Sequence, residues 1–323
     1  MPELPEVHTV VTELNSRLKG RQIKRLAVHL AKIISIGPQT VSNIRVANQK
    51  TVDEFANLLT GRKILSVNRR GKMLIFNLSN LSRLKNKVDA SPSSMPITML
   101  VHLKMTGQFI FEDKIQAKKT GSKYKILNKV TAPLVKLPCK YTHVVFYFTD
   151  GSTLYYNDVR QFGYLRLVHS KDLDKVGEFK NYGPEPLEKD FTFEVFENAL
   201  KNRKKIPIKL ALMDTKVVVG IGNIYSDEIL FHARIAPDRQ VDSLSKKELR
   251  AVFEQIKPVL KMGVKYKGSS VGDFIRTDGK WGSMGKHHYV YGRKNQLCLV
   301  CGTIIKSIKL GGRTSAYCPK DQK

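Results

Sequence analysis

The tail LCLVCGTIIKSIKLGGRTSAYCPKD (297–321) constrains the fold more than any other stretch of this sequence. Cys298 and Cys301 form a C-x2-C knuckle, a tight turn that lets both thiolates reach one tetrahedral ion. After sixteen intervening residues Cys318 opens a second knuckle, but its partner position holds Asp321. An aspartate oxygen binds zinc at about 2.0–2.2 Å. Cys298, Cys301, Cys318 and Asp321 are therefore a chemically allowed set of three thiolates and one carboxylate for one structural Zn2+. The alternatives are a metal-free or water-completed site, or a ligand drawn from the nearby His287 or His288. The residues between the knuckles read as a β-hairpin turning at Gly311-Gly312, with Arg313 at its tip. An arginine on a rigid hairpin suits a phosphate or minor-groove contact; a solvated surface arginine is the plainer reading. The fourth cysteine, Cys139, stands alone in a predicted insertion and is read as a bystander thiol.

Charge narrows the partner. Fifty-six Lys and Arg against 28 Asp and Glu leave a net charge of +28, a field that attracts phosphate backbones or anionic membranes. No stretch approaches 18 apolar residues, and the N-terminus carries glutamates in place of a basic-then-apolar leader. The expectation is no membrane partner, no secretory peptide and a cytoplasmic protein, nucleoid-associated if bacterial. A length of 323 residues implies two or three structural units.

Along the chain the hydrophobic period changes twice. Val7, Val10, Val11, Leu14 and Leu18 recur at helical spacing, predicting a first helix over 3–19. Short β-type runs follow: IKRLAVHLAKII, GRKILSVNRR, KMLIFNL, ITMLVHLKM, THVVFYF and GSTLYYN, the last two flanking a turn at Asp150-Gly151. Strands of this kind predict a β-sandwich. Two segments interrupt them, near 82–96 and 112–140, and read as charged surface insertions. Pro184 and Pro186 mark a junction, after which the pattern is helical, with Thr192 a candidate cap and a helix across 245–262. The predicted fold is α+β and multidomain. Residues 1–170 form a β-sandwich with a flanking helix, 171–190 a linker, 191–285 a helical domain, and 286–323 a zinc-ribbon-like hairpin.

Within the helical part, KVVVGIGNIYSDEIL carries Gly220, Gly222 and Asn223. Tyr225 stands where a dinucleotide fingerprint needs its third glycine, and no βαβ unit surrounds it. A glycine turn between two helices fits better. The N–H groups at a helix start near Asn223 would then bind a phosphate, with Lys209 on the preceding helix aimed at the same anion; a plain αα turn is the alternative.

Taken in order, MPELPEV, RRGKMLIFNL (69–78), HLKMTG (102–107), NDVRQFG (157–163), GPEPL (183–187), IKLALMDTKVVVGIGNIYSDEILF (208–231), GSSVGDF (268–274), VYGR (290–293) and the cysteine hairpin resemble the Fpg/Nei family of DNA glycosylases, in its formamidopyrimidine-DNA glycosylase branch. The resemblance implies a helix–two-turns–helix domain and a bifunctional glycosylase/AP lyase of base excision repair. Its partner would be double-stranded DNA containing oxidised bases or abasic sites, bound by a monomer. Removal of Met1 would expose the Pro2 amine as nucleophile at C1′, giving a Schiff base and then β,δ-elimination. An α-amine has a pKa near 7.7–8.0, so a useful fraction is neutral at physiological pH. Glu3 would relay protons, Glu6 would support the site, and Lys72 would grip a phosphate.

By the same resemblance, Met105, Arg160 and Phe162 would be the wedge that fills the hole left by a flipped base. Lys209, Asn223 and Arg313 would form a phosphate clamp, with Tyr225 grouped among the DNA contacts. The sequence departs from the family pattern at His8, Val159, Gln161, the capping loop GSSVGDF and Asp321. The implied substrates are oxidised purines, 8-oxoguanine and formamidopyrimidines. A preference for oxidised pyrimidines, or a non-catalytic nucleic-acid binder retaining the fold, are the alternatives.

Overall fold

The computed structural model describes residues 1–39, 48–80, 95–114, 123–125, 134–271 and 274–323. Two compact units account for them.

The first unit comprises residues 1–2, 7–180 and 272–282. Helix α1 (Leu4–Leu18) contributes most of its length to it. Val7, Val10, Val11, Leu14 and Leu18 are all buried in the core, as their spacing predicts. Two sheets carry the rest. One has strand order β1 (Ile23–Val28), β9 (Thr142–Phe148), β10 (Thr153–Asp158), β6 (Gly107–Glu112), antiparallel throughout. The other runs β2 (Ile34–Ile36), β11 (Tyr164–His169), β5 (Ile97–His102), β4 (Met73–Leu78), β3 (Ile64–Arg70), with only β2 parallel to its neighbour. Phe76 from one sheet and Phe109 from the other meet edge-to-face at 5.8 Å inside their shared core. Gly151, with φ of +87°, makes the β9–β10 turn that the Asp-Gly pair signals.

Strands β6 and β11 lie outside the runs named from the sequence. All six residues of β6 are buried, and five of six in β11. Neither strand shows the alternation of a half-exposed strand. Helix α2 (Gln49–Leu59), capped by the Asn48 side chain on Thr51 N–H, buries Phe55 and Leu59 and packs Val52 and Leu58 against the same core.

The insertion near 82–96 lies almost wholly outside the described residues. Of the one near 112–140, β7 (Lys123–Lys125) and β8 (Leu134–Lys136) pair with each other. Tyr124 and Leu137 are buried with Ile110, Val145, Tyr155 and Ile275. These described parts are packed rather than only a solvated charged surface, since Val135, Cys139 and Tyr141 lie against the same cluster.

The second unit comprises residues 3–6, 181–271 and 283–323. Its helices are α3 (Phe193–Leu200), α4 (Ile208–Met213), α5 (Asn223–Ala233) and α6 (Lys246–Lys265). Thr192 caps α3 by accepting the Val195 N–H, and Ser245 and Glu248 form a capping box on α6. Helix α5 is central: every residue from Ile224 to Phe231 is buried, so it has no polar face. Strands β12 (Lys306–Leu310) and β13 (Arg313–Tyr317) form the hairpin, turning at Gly311-Gly312, both at positive φ. The hairpin packs in the same compact unit as the helices, and residues 274–282 pack with the first unit.

Candidate active site and nucleic-acid interface

In the first unit, β3 and β4 are joined at Gly71-Lys72, and Gly71 has φ of +56°. That tight turn puts Lys72 at the tip of the β3–β4 hairpin at the edge of the five-stranded sheet. The charge of its ammonium is felt at His102, which pairs with Met73 across β4–β5. Burial, with the charges of Lys104 and Lys72, pushes the His102 pKa down to about 3, so this imidazole is neutral at physiological pH.

Met105, Arg160 and Phe162 are brought together in the same unit. The Arg160 guanidinium lies 4.8 Å from the Phe162 ring centre and donates to Met105 Sδ at 2.9 Å. Asp158 is the anchor beneath them. Its buried carboxylate accepts from Gly163 N–H at 2.7 Å and Arg160 N–H at 3.2 Å, and from the Thr106 hydroxyl. Phe162 is held out at 50% exposure while the loop backbone is pinned. A large apolar ring kept in water on a rigid loop suits stacking on a base. Asp158 and Thr106 lie inside the motifs that carry the family resemblance, but sequence gives no sign of their bracing role.

In the second unit, Glu3 is almost fully buried. Its carboxylate accepts N–H bonds from Gly222 at 2.7 Å, Ile224 at 2.8 Å and Tyr225 at 3.3 Å. These are donors at the start of α5, so Glu3 serves as that helix's cap across more than 200 residues of sequence. The residue before Glu3 is Pro2, itself buried. Glu6 lies one turn further on. It accepts from Glu3 N–H at 2.9 Å, Ser269 N–H at 2.7 Å and the Tyr225 hydroxyl at 2.7 Å. Burial, and then the Glu3 carboxylate, push the Glu6 pKa up. Glu6 thereby ties the first turn of α1 to the segment that begins GSSVGDF; Gly272 and Asp273 of that segment lie outside the described residues.

Two of the expected DNA contacts are corrected here. The Tyr225 ring is wholly buried, so it is a core residue that orients Glu6 and has no face for DNA. Lys209 is also wholly buried, with its ammonium paired to Asp227. Burial lowers the Lys209 pKa and raises that of Asp227, against their mutual attraction. Asp227 also accepts from the Ser315 hydroxyl at 2.6 Å and Ala316 N–H at 3.0 Å, which fixes β13 to α5. Next along the helix, Glu228 accepts the N–H groups of Tyr289, Val290 and Tyr291 at 2.9–3.0 Å. Asn223, first residue of α5, donates from Nδ2 to the Thr314 carbonyl at 3.1 Å, beside the exposed Arg313. Asn223 is thus half-buried beside the exposed Arg313, whereas Lys209 is wholly buried against Asp227.

Cys298, Cys301, Cys318 and Asp321 converge, with one ligand atom of each within 4.8 Å of all the others. Asp321 Oδ2 lies 3.3 Å from Cys298 Sγ and 3.4 Å from Cys318 Sγ, and the Cys301 and Cys318 sulfurs are 3.5 Å apart. The edges of a tetrahedron around zinc, with Zn–S of about 2.3 Å and Zn–O of about 2.0–2.2 Å, would be about 3.5–3.8 Å. The donor set fits the ion, and neither His287 nor His288 belongs to it.

Comparison with known proteins agrees with this geometry. Residues 1–165 match the formamidopyrimidine-DNA glycosylase N-terminal domain, and residues 182–274 the formamidopyrimidine-DNA glycosylase H2TH domain. The chain belongs to the formamidopyrimidine-DNA glycosylase family. Residues 295–323 match the zinc finger found in FPG and IleRS, so the cluster of Cys298, Cys301 and Cys318 sits in a zinc-finger domain. A formamidopyrimidine-DNA glycosylase of Listeria innocua is 35% identical over 323 residues, covering all of both chains. Among solved structures of the family, Lactococcus lactis Fpg in complex with DNA containing an abasic site gives a TM-score of 0.77 at 28% identity, over 99% of each chain. MutM in complex with DNA containing carbocyclic 8-oxo-G gives 0.76 at 28%, over 100% of each. Among the described residues, no helix is long and apolar enough to cross a membrane.

Proposed function

We propose that this protein is a bifunctional DNA glycosylase/AP lyase that removes oxidised purines, 8-oxoguanine and formamidopyrimidines, from double-stranded DNA. The carrying observation is the buried Glu3 carboxylate, held by three N–H groups of Gly222 and α5 and covalently next to Pro2. While Met1 is attached, the Pro2 nitrogen is an amide and no nucleophile. Once Met1 is removed it is a secondary amine. That amine attacks C1′ of the damaged nucleotide, the glycosidic bond breaks, and the base leaves with a proton delivered through Glu3. The amine nitrogen gives up its proton, the C1′–O4′ bond opens as the ring oxygen takes a proton through Glu3, and the resulting iminium acidifies the C2′ hydrogen. Loss of that proton expels the 3′ phosphate, and a second elimination expels the 5′ phosphate.

The other residues take supporting roles. Glu6 holds the first turn of α1 and the start of the 268–274 segment in register. Lys72 grips a phosphate, and Asn223 with Arg313 grips another. Met105, Arg160 and Phe162 occupy the space of the flipped nucleotide, at a cost of a few kcal/mol of unstacking that their own stacking offsets. One Zn2+ held by Cys298, Cys301, Cys318 and Asp321 keeps the hairpin rigid and takes no part in the chemistry. Residues 1–170 then carry the nucleophile and wedge, 171–190 link, 191–285 carry the helical clamp, and 286–323 the finger.

Borohydride trapping on a duplex with 8-oxoguanine opposite cytosine tests the reading. A covalent protein–DNA adduct is expected from protein lacking Met1, and none from protein retaining Met1 or from Pro2→Gly at comparable yield. Absence of an adduct on this duplex and on an abasic site would remove the enzyme reading. Faster adduct formation on oxidised pyrimidines than on 8-oxoguanine would favour the pyrimidine alternative.

A further inference from the structure

Gly222 is the residue immediately before α5, in the position where helices usually place Ser, Thr, Asp or Asn so that a short side chain can accept the first free N–H groups. Its φ of −135° is negative, so the backbone itself does not call for glycine. Gly220, two residues earlier, is different: its φ is +90°. What Gly222 lacks is room. A Cβ built on it would lie 2.5 Å from Glu3 Cδ, 2.6 Å from Glu3 Oε1 and 2.9 Å from Glu3 Cγ. The space of the missing side chain is filled by the carboxylate of Glu3, which also takes the Gly222 N–H.

We propose that Gly222 is a positioning residue for catalysis: its missing side chain is the slot that seats the Glu3 carboxylate as the external cap of α5. This rests on the reading of Glu3 as the proton-transfer group. A side chain at 222 that capped the helix itself would do the ordinary structural job and displace the carboxylate from the sugar. The same helix start holds Asn223 against the Thr314 carbonyl beside Arg313, so one element fixes both a phosphate contact and the proton-transfer group. A displacement of about 1 Å at a reacting group can cost about a hundredfold in rate.

The test uses four full-length variants with Met1 removed: Glu3→Gln, Gly222→Ala, Glu3→Asp and the Glu3→Asp/Gly222→Ala pair. Single-turnover excision of 8-oxoguanine is measured beside affinity for duplex DNA carrying an uncleavable tetrahydrofuran site. Gly222→Ala is expected to lose about a hundredfold in excision while its affinity stays within about threefold. Because aspartate is one methylene shorter, the pair is expected to excise faster than Gly222→Ala alone. Normal excision by Gly222→Ala would overturn the proposal, as would a loss that Glu3→Asp does not relieve. If Gly222→Ala does not fold, Glu3→Ala/Gly222→Ala must fold, since the obstacle is the Glu3 carboxylate; failure of that pair to fold would equally overturn it. Normal excision by Glu3→Gln would instead sink the role given to Glu3, which separates the two failures.

Discussion

Lys209 gives the sharpest prediction, because sequence and structure assign it different work. As a direct phosphate contact, its loss would lower DNA affinity and reduce the slope of log K against log salt by about 0.9. As found, its ammonium is wholly buried against Asp227, which also holds Ser315 and Ala316 of β13. At about 4 Å between charge centres and an effective dielectric of about 20, such an attraction is worth about 4 kcal/mol. Removing one partner of a buried pair typically costs about 3–5 kcal/mol, because the remaining charge is stranded. Lys209→Met should therefore destabilise the protein by about 3–5 kcal/mol in urea unfolding. The double variant Lys209→Met/Asp227→Asn should recover most of that loss, since the amide oxygen can keep the Ala316 N–H while the amide NH2 donates to the Ser315 hydroxyl, which rotates to accept. The salt slope for duplex DNA should be that of the unaltered protein, whereas Arg313→Ala should lower it by about 0.9. A Lys209→Met protein with unchanged unfolding but a slope reduced by about 0.9 would refute the assignment.

Other outcomes follow from the same geometry. Phe162→Ala removes a stacking contact worth about 1–3 kcal/mol; excision from duplex should slow about five- to hundredfold, and trapping on a single-stranded abasic site should not. An equal loss on both substrates would place Phe162 outside the wedge. Asp321→Cys should slow zinc loss to a chelator and Asp321→Ala speed it by at least about tenfold, since even outer-shell changes cost that much; equal rates for the unaltered protein and Asp321→Ala would strike Asp321 from the ligand set. Burial pushes the Glu228 pKa up to about 7 from the ordinary carboxylate value near 4.5, with the three backbone donors opposing it. The folded protein then holds a proton that the unfolded chain releases across this window, so stability falls as pH rises from about 4.5 to about 7, by up to about 3 kcal/mol, and levels off above. Glu228→Gln should flatten that fall in thermal unfolding between about pH 5 and 7.5, and an unaltered slope would assign it to other groups.

Much of the fold was legible because local periods and turn residues are local physics. The Val and Leu spacing of α1, the Asp150-Gly151 hairpin, the Thr192 cap and the cysteine knuckles each depend on residues within a few positions of one another. Strands β6 and β11 were not legible. Buried on both faces, they lack alternation; β10 is as fully buried, but its run follows the Asp150-Gly151 turn pair, a signal β6 and β11 lack. Helix α5, buried all round from Ile224 to Phe231, likewise shows no face, so the sequence could not tell that Tyr225 is wholly buried while Asn223 is only half-buried.

By itself, the sequence determined the identity of the chemical groups: an N-terminal proline followed by glutamate, a lysine in a strand turn, a wedge motif, and three cysteines with one aspartate at zinc spacing. The tertiary structure decided how those groups are held. The Glu3 carboxylate caps a helix that begins more than 200 residues later, and Asp227 binds Lys209 and a hairpin strand at once. Burial and long-range hydrogen bonding set whether a lysine grips DNA or a buried carboxylate, and a glycine matters for the space it leaves. Neither property is a function of neighbours in sequence, so each had to await the folded chain.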